Sequence, residues 1–568
     1  MEMPFSGGYN DRKILDAIEN GSLTMEELDR AVDRVVDLII KSQPALQQEH
    51  SCDMEQCHAV ARKVACESMV LLKNEENVLP LEKGKKIAVI GNMAKQPRYQ
   101  GAGSSQINPT KIDNAYDSLA ELGYELSYAK GYDDKGIEAV LVDQAKQVAS
   151  KADIVLAFVG LTPEYESEGY DRRHMNLPDN QNRLIAELAK VNPSLVIVLA
   201  GGAPIEMPWL DSVKAVLHTV LGGQAGGSAA ARILAGKVNP SGKLAETYPL
   251  SLQDTPSYRN FPGNRATVEY REGIYIGYRY YDTAKKDVLF PFGFGLSYTQ
   301  FEYSNLRVSA ESIRDTDEVT VSFHVKNIGT VDGAEIAQLY VKDDESTVFR
   351  PEKELKGFKK VFLKAGEETE ITLTLDKRSF AFYNISIRDW YVESGRFEIM
   401  VGASSRDIRL RSTVTVKSSF EQAYIPNYRE IAPAYYSADI DQITDAQFEA
   451  VLGASLPPKV RDKNAPLTFE NSLEDAADTA FGKKMLDLII SVVNVAFKQD
   501  NNREMIIRTM VELPIRNMVS MSLGVFSEEM ANGLLNMING GKKTKGLAKI
   551  LKGIPHALLN IKALLQSI

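Results

Sequence analysis

Four acids and a basic pair crowd one polar stretch, Glu164-Tyr165-Glu166-Ser167-Glu168-Gly169-Tyr170-Asp171-Arg172-Arg173. It lies between an apolar run at 152–160 and Leu177-Pro178, so it reads as a loop leaving the carboxyl end of a buried strand. A carboxyl group on such a loop, mobile and partly dehydrated, can have its pKa raised toward neutrality, which is the condition for donating a proton as a general acid. The competing reading is a solvated acidic loop whose charge Arg172 and Arg173 balance. Residue types alone leave both open.

Other chemistries find no support in the motifs. The chain has no Gly-x-Ser-x-Gly elbow, no His-Glu-x-x-His and no Gly-x-x-x-x-Gly-Lys-Ser/Thr. The strand at 87–91 followed by Gly101-Ala102-Gly103 hints at a dinucleotide loop, but Gln106 stands where a third glycine would be. The 6 histidines are scattered, and His174 beside the acidic loop reads as a structural or peripheral residue rather than a metal ligand. Cys52, Cys57 and Cys66 fall within one helix-like stretch, are odd in number and lack zinc spacing, so they read as reduced thiols. No cofactor and no metal is expected. With 66 basic and 76 acidic residues, a formal charge of −10, there is no basic surplus for a nucleic-acid partner.

These residues need a scaffold, and the 568-residue chain is long enough for roughly four domains. Thr24 and Glu27 form a capping box, and Leu28, Val32, Val35 and Ile39 recur at helical spacing, so 24–41 is an amphipathic helix that must pack on something. A second helix is expected at about 55–73. Strands at 87–90, 125–129, 154–159, 195–200 and 215–220 then alternate with helices at 113–122, 137–150, 180–190 and 226–235. That order predicts an α/β sandwich with a mostly parallel sheet. Ligands of such sheets lie beyond the strands' carboxyl ends, where the loops 100–106, 164–173 and 222–227 fall.

A Pro-, Gly- and aromatic-rich connector then wraps the domain, and after it the hydrophobic period becomes two, predicting a fibronectin type III-like β-sandwich without a disulfide. Beyond Lys417 comes a helical C-terminal tail, with a Thr444–Gln447 capping box and helices ending at Gly453 and at about 481–498, 503–511 and 528–537. The expected division is 1–45, 46–250, 251–302, 303–416 and 417–568. Lys542, Lys543, Lys545, Lys549, Lys552 and Lys562 make the end a basic amphipathic segment, expected to dock on its own acidic protein or on a sister subunit in a homo-oligomer, with an acidic membrane surface as the alternative. The apolar stretch 485–497 contains Asp487 and falls short of the ~20 residues of a membrane span. No secretion signal is visible at the start, and with reduced thiols this points to the cytoplasm.

Several motifs together are recognisable: Glu67-Ser68-Met69-Val70-Leu71-Leu72-Lys73-Asn74, Gly101-Ala102-Gly103-Ser104, Glu168-Gly169-Tyr170-Asp171-Arg172, Asn239-Pro240-Ser241-Gly242-Lys243-Leu244, Tyr270-Arg271-Glu272-Gly273 and Pro291-Phe292-Gly293-Phe294-Gly295-Leu296-Ser297-Tyr298. In this order the chain resembles glycoside hydrolase family 3, the β-glucosidase group, over about residues 1–410. The resemblance implies a (β/α)8 barrel, an α/β sandwich and a fibronectin-like domain, acting with retention on terminal β-D-glucosyl residues of a β-glucoside or short β-linked oligosaccharide. Glucose is the default sugar, with xylose and N-acetylglucosamine as alternatives. It also implies that the sandwich supplies the acid/base, Glu168 on the matching motif with Glu166 as the fallback. Asp171 and Arg172 would hold the loop in shape, with Asp171 taking up the charge of Arg172. For Gln100 and Ser104, sugar contact and loop structure weigh equally.

One departure stands out. Glu2-Met3-Pro4 looks like the end of the family's Gly-x-Asp-x-x-Met-Pro, which follows the nucleophilic aspartate, so the resemblance implies that nearly all of the barrel is missing. The Asp389-Trp390 pair falls in the β-sandwich, where a strand-edge role is expected. The chain therefore reads as the carboxyl-terminal part of a β-glucosidase, inactive without a barrel partner. The alternative is a non-catalytic carbohydrate-binding or assembly subunit.

Overall fold

The computed structural model describes residues 11–48, 51–133, 138–263, 267–420, 423–462, 464–496, 503–522 and 525–567. Glu2-Met3-Pro4 lies outside them. The central element is a six-stranded sheet in the order Val70–Asn74, Ala215–Val220, Leu195–Ala200, Ile154–Gly160, Lys86–Ile90, Glu125–Ala129. The first strand runs antiparallel to its neighbour and the rest are parallel. Strand residues alternate between two apolar cores. Ile90, Val155, Ala157, Ile197 and Leu199 face one; Val89, Leu156, Phe158, Val196 and Val198 face the other. Burial on both faces explains why these strands read as unbroken apolar runs.

The antiparallel edge strand corrects the expected helix over 55–73. The helix Met54–Ser68, capped by Asp53, stops before Met69, and Val70–Asn74 is a strand. Met69, Val70, Leu71 and Leu72 are all buried. Four consecutive apolar residues cannot all face inward from a surface helix, but a strand between two cores buries every one. Cys52 likewise precedes this helix rather than lying in it, its sulfur 3.3 Å from that of Cys57 in the first turn, while Cys66 is buried.

The sheet order places the site. After Lys86–Ile90 the chain moves to one side, to Glu125–Ala129, and then crosses to the other, to Ile154–Gly160. The loops leaving the carboxyl ends of Lys86–Ile90 and Ile154–Gly160 thus emerge side by side at a topological switch point, where open α/β sheets form their ligand crevice. One contains Gln100 and Ser104, the other the acidic stretch.

The β-sandwich packs a five-stranded sheet against a three-stranded one around Val321, Phe323, Leu339, Phe397 and Ile399. Asp389–Tyr391 pairs with Phe382–Asn384 in a small two-stranded sheet, with Arg378 stacked on Trp390. The tail begins as part of the body. Tyr275, Tyr280 and Tyr281 of the connector share an apolar cluster with Tyr435, Ile440 and Phe448, and Arg271 donates to the Ile443 carbonyl and pairs with Asp445. Thr444 caps Asp445–Leu452, but the Gln447 side chain bonds to the Ala434 amide and the Gln442 carbonyl instead of closing the box. The basic helix Lys543–Ser567 packs on Glu528–Ile538 of its own chain, with Lys552 3.5 Å from Glu529. No helix among the described residues is long and apolar enough to cross a membrane.

The amphipathic helix is Met25–Leu46, with the Thr24 and Glu27 box formed. None of its residues is buried. Val32, Val36, Leu38, Ile39 and Ile40 stand open, so the packing that its sequence demands is not met within the described chain.

Candidate active site

The two switch-point loops meet at Glu168. Its Oε2 accepts the Ser104 amide at 2.6 Å, and its own amide donates to the Ala102 carbonyl at 3.2 Å. The side chain lies at the surface. The Ser104 hydroxyl and amide stabilise the ionised form and hold the Glu168 carboxyl below its usual range. This reverses the expected rise: the loop leaves the carboxylate in water and supplies it with donors, so no dehydration drives the proton on.

Glu166, two residues earlier, points the other way. Both carboxylate oxygens accept the Gly202 amide at 3.0 Å, and Oε2 lies 3.6 Å from Nη2 of Arg98. Arg98 also donates to the Glu166 carbonyl at 2.9 Å, and its Nε and Nη1 are buried without a partner among the described residues. Glu166 therefore ties the loop to the sheet. Glu164 accepts from the Thr162 hydroxyl at 2.8 Å, and Tyr170 closes the loop by donating to the carbonyls of Pro163 and Glu164 at 2.8 and 2.9 Å.

Arg172 does not meet Asp171. It turns inward, donates to the Pro204 carbonyl at 2.8 Å and faces Glu166 and Glu246. Asp171 stays exposed and has no ion-pair partner among the described residues. The pairing fails because adjacent loop residues point to opposite sides. Arg172 does support the loop, through a backbone carbonyl. Gln100 is fully engaged locally: its Oε1 accepts the Ile107 amide at 2.9 Å, and its Nε2 donates to the Tyr99 hydroxyl and the Ile107 carbonyl. These bonds give Gln100 a part in loop structure, and it also lines the cavity beside the acidic stretch. His174 is exposed against Tyr165, and no cluster able to hold a metal ion occurs among the described residues.

The third loop joins from behind, the Gly223 amide donating to the Tyr99 carbonyl at 2.9 Å. A cavity lined by Arg98, Tyr99, Thr219, Gly222 and Gly226 lies between it and the sheet, and a second one, lined by Gln100, Gln106, Thr162 and Glu164, opens beside the acidic stretch. Arg98 and Gly202 went unnoticed in the sequence. Nothing in their local pattern marks them, because their role arises only when three strand ends come together.

Residues 69–298 match the glycosyl hydrolase family 3 C-terminal domain, and 335–405 match the fibronectin type III-like domain. The chain is 46% identical over 546 residues to thermostable beta-glucosidase B of Acetivibrio thermocellus, covering 95% of this chain and 67% of that protein. It is 43% identical over 429 residues to an exo-alpha-(1->6)-L-arabinopyranosidase of Bifidobacterium breve, covering 73% of this chain and 56% of that one. The crystal structure of a Bifidobacterium adolescentis beta-glucosidase superposes with a TM-score of 0.70 at 38% identity, covering 85% of this chain and 65% of the other. The chain belongs to glycoside hydrolase family 3. It spans about half to two thirds of the length of these relatives.

Proposed function

We propose that the chain carries the acid/base half of a retaining β-glucosidase, with Glu168 as the proton donor and an aspartate nucleophile supplied by a barrel outside these residues. The observation that carries this reading is the placement of Glu168. Of the three glutamates of the loop, it is the one whose carboxylate a second crevice loop holds at the surface, while Glu166 is fastened to Gly202 and Arg98. The names of the relatives support a β-glucoside as substrate, and the arabinopyranosidase of Bifidobacterium breve makes an L-arabinopyranoside the first alternative sugar to assay. The free thiols of Cys52, Cys57 and Cys66 fit a reducing compartment such as the cytoplasm.

The electrostatics suit a two-step cycle. Retention requires a second carboxylate about 5–5.5 Å away. A negative charge at that distance opposes the effect of the Ser104 donors and favours the protonated carboxyl, which in the first step gives its proton to the glycosidic oxygen. Formation of the glycosyl ester removes that charge. Having given up its proton to the aglycone, Glu168 stays in the ionised state that the Ser104 donors favour, and in that state it takes a proton from the attacking water.

The test joins the chain to its barrel and measures aryl β-glucosides of graded leaving-group acidity. Glu168→Gln is expected to lose far more rate on poor leaving groups than on good ones, and the chain without a barrel is expected not to turn over. Equal loss on all substrates removes Glu168 from the role.

A further inference from the structure

The helix Arg503–Glu512 of the C-terminal extension lies directly on the acid loop. Gly103 and Gly169 flank the contact between Ser104 and Glu168, both with left-handed backbone (φ 100° and 92°). A methyl group on Gly103 would fall 2.6 Å from the Glu168 carboxylate and 3.1 Å from the Met505 sulfur; one on Gly169 would fall 2.9 Å from Met505 Cγ and 3.2 Å from the Thr509 hydroxyl. The helix thus rests on bare backbone on either side of the carboxylate, as close as glycine allows. Arg508 braces it with Glu504 at 2.9 Å and Glu512 at 2.6 Å, and Glu504 adds its charge beside Tyr170 of the loop. Met505 and Thr509 are only partly covered.

A proton donor faces the oxygen of the departing group, so side chains around its open edge meet the aglycone and not the sugar being transferred. We propose that this helix forms a wall of the leaving-group side of the site, with Met505 and Thr509 as specificity-determining residues. A thioether is flexible and polarisable, and it packs on aromatic and alkyl groups of varied shape. The Thr509 hydroxyl offers one hydrogen bond to a sugar or phenol aglycone. The class of substrate that follows is a β-glycoside with an apolar or aryl leaving group. The inference rests on Glu168 as the proton donor and adds what surrounds the group it protonates.

Two measurements test it. In the chain itself, Met505→Ala with Thr509→Ala is expected to speed amide hydrogen exchange in residues 100–106 and 164–173, while Met505→Leu leaves exchange unchanged. In the barrel-completed enzyme, Met505→Ala is expected to lower kcat/KM on aryl β-glucosides about 10-fold. β-Glucosyl fluoride, which has almost no aglycone, should keep its rate, and Met505→Leu should restore the aryl substrates. Unchanged exchange in the double variant overturns the seating of the helix. Equal loss on fluoride and aryl substrates overturns the wall. A completed wild-type enzyme with no activity on any glycoside overturns the assignment of Glu168 as well, and the wild type alone reveals that failure.

Discussion

The Ser104 amide lies 2.6 Å from Oε2 of Glu168, and this bond joins loops that leave two neighbouring strands of one sheet. It fixes the carboxylate in position and also sets its charge. Because the Ser104 hydroxyl and amide lower the pKa of the folded chain, their contribution to stability is present above the unfolded pKa of about 4.3 and is lost as pH falls through the lower folded value. Ser104→Ala removes the hydroxyl and keeps the amide. The Glu168 pKa should move up toward the ordinary carboxylate range, read by carbon-13 NMR titration of the side-chain carboxyl, and Gly202→Ala, beside Glu166, should not move it.

Glu166 and Glu168 should separate cleanly in stability. Replacing Glu166 with Gln leaves the Arg98 guanidinium, 5% exposed, without its counter-charge, and breaking a buried pair from one side costs about 3 kcal/mol. Glu168→Gln touches an exposed carboxylate and keeps an amide oxygen for the Ser104 amide, so it should cost far less stability than Glu166→Gln. Calorimetric transitions of the two variants measure the difference. A large loss for Glu168→Gln would mark it as structural and return the acid role to its neighbour.

The strands of the α/β domain were legible because burial on both faces leaves unbroken runs such as Ile154 to Gly160, and the β-sandwich because its period is two. The edge strand at Val70 was not, since a short apolar run has no period to choose between helix and strand. In the site, the motif around Glu168 pointed to the residue, but neither the direction of its pKa shift nor the partner of Arg172 could be read from neighbours in sequence. Both depend on Ser104 and Pro204, which lie 64 and 32 positions away in the chain. The helix over the acid loop was expected as a helix at 503–511; its seat on Gly103 and Gly169 belongs to tertiary structure alone.

The open stripe on Met25–Leu46 makes a prediction about association. Val36 and Ile39 are 44% and 52% exposed on a helix with no buried residue. Contiguous exposed apolar surface drives pairing with whatever covers it. Val36→Glu with Ile39→Glu should therefore reduce self-association of the chain in sedimentation velocity and leave the circular dichroism spectrum unchanged. In the barrel-completed enzyme the same pair should weaken folding, because there the stripe is expected to be covered.

Tyr435 tests whether the tail is part of the body or an appendage. The residue is 1% exposed, its ring lies tilted at 4.8 Å from that of Phe349, and its carbonyl accepts the Tyr275 hydroxyl. Tyr435→Ala empties a ring-sized space beneath the connector and should cost about 3–5 kcal/mol. The Tyr435 hydroxyl itself is buried with no hydrogen-bond partner among the described residues, so the oxygen carries a desolvation penalty with nothing to offset it. Tyr435→Phe keeps the ring and removes that penalty, and should be neutral or more stable by up to about 1 kcal/mol. Scanning calorimetry of the chain measures both. Destabilisation by Tyr435→Phe comparable to that of the alanine variant would mean that the hydroxyl has a partner, and that the cluster is held by polar contacts rather than by ring packing.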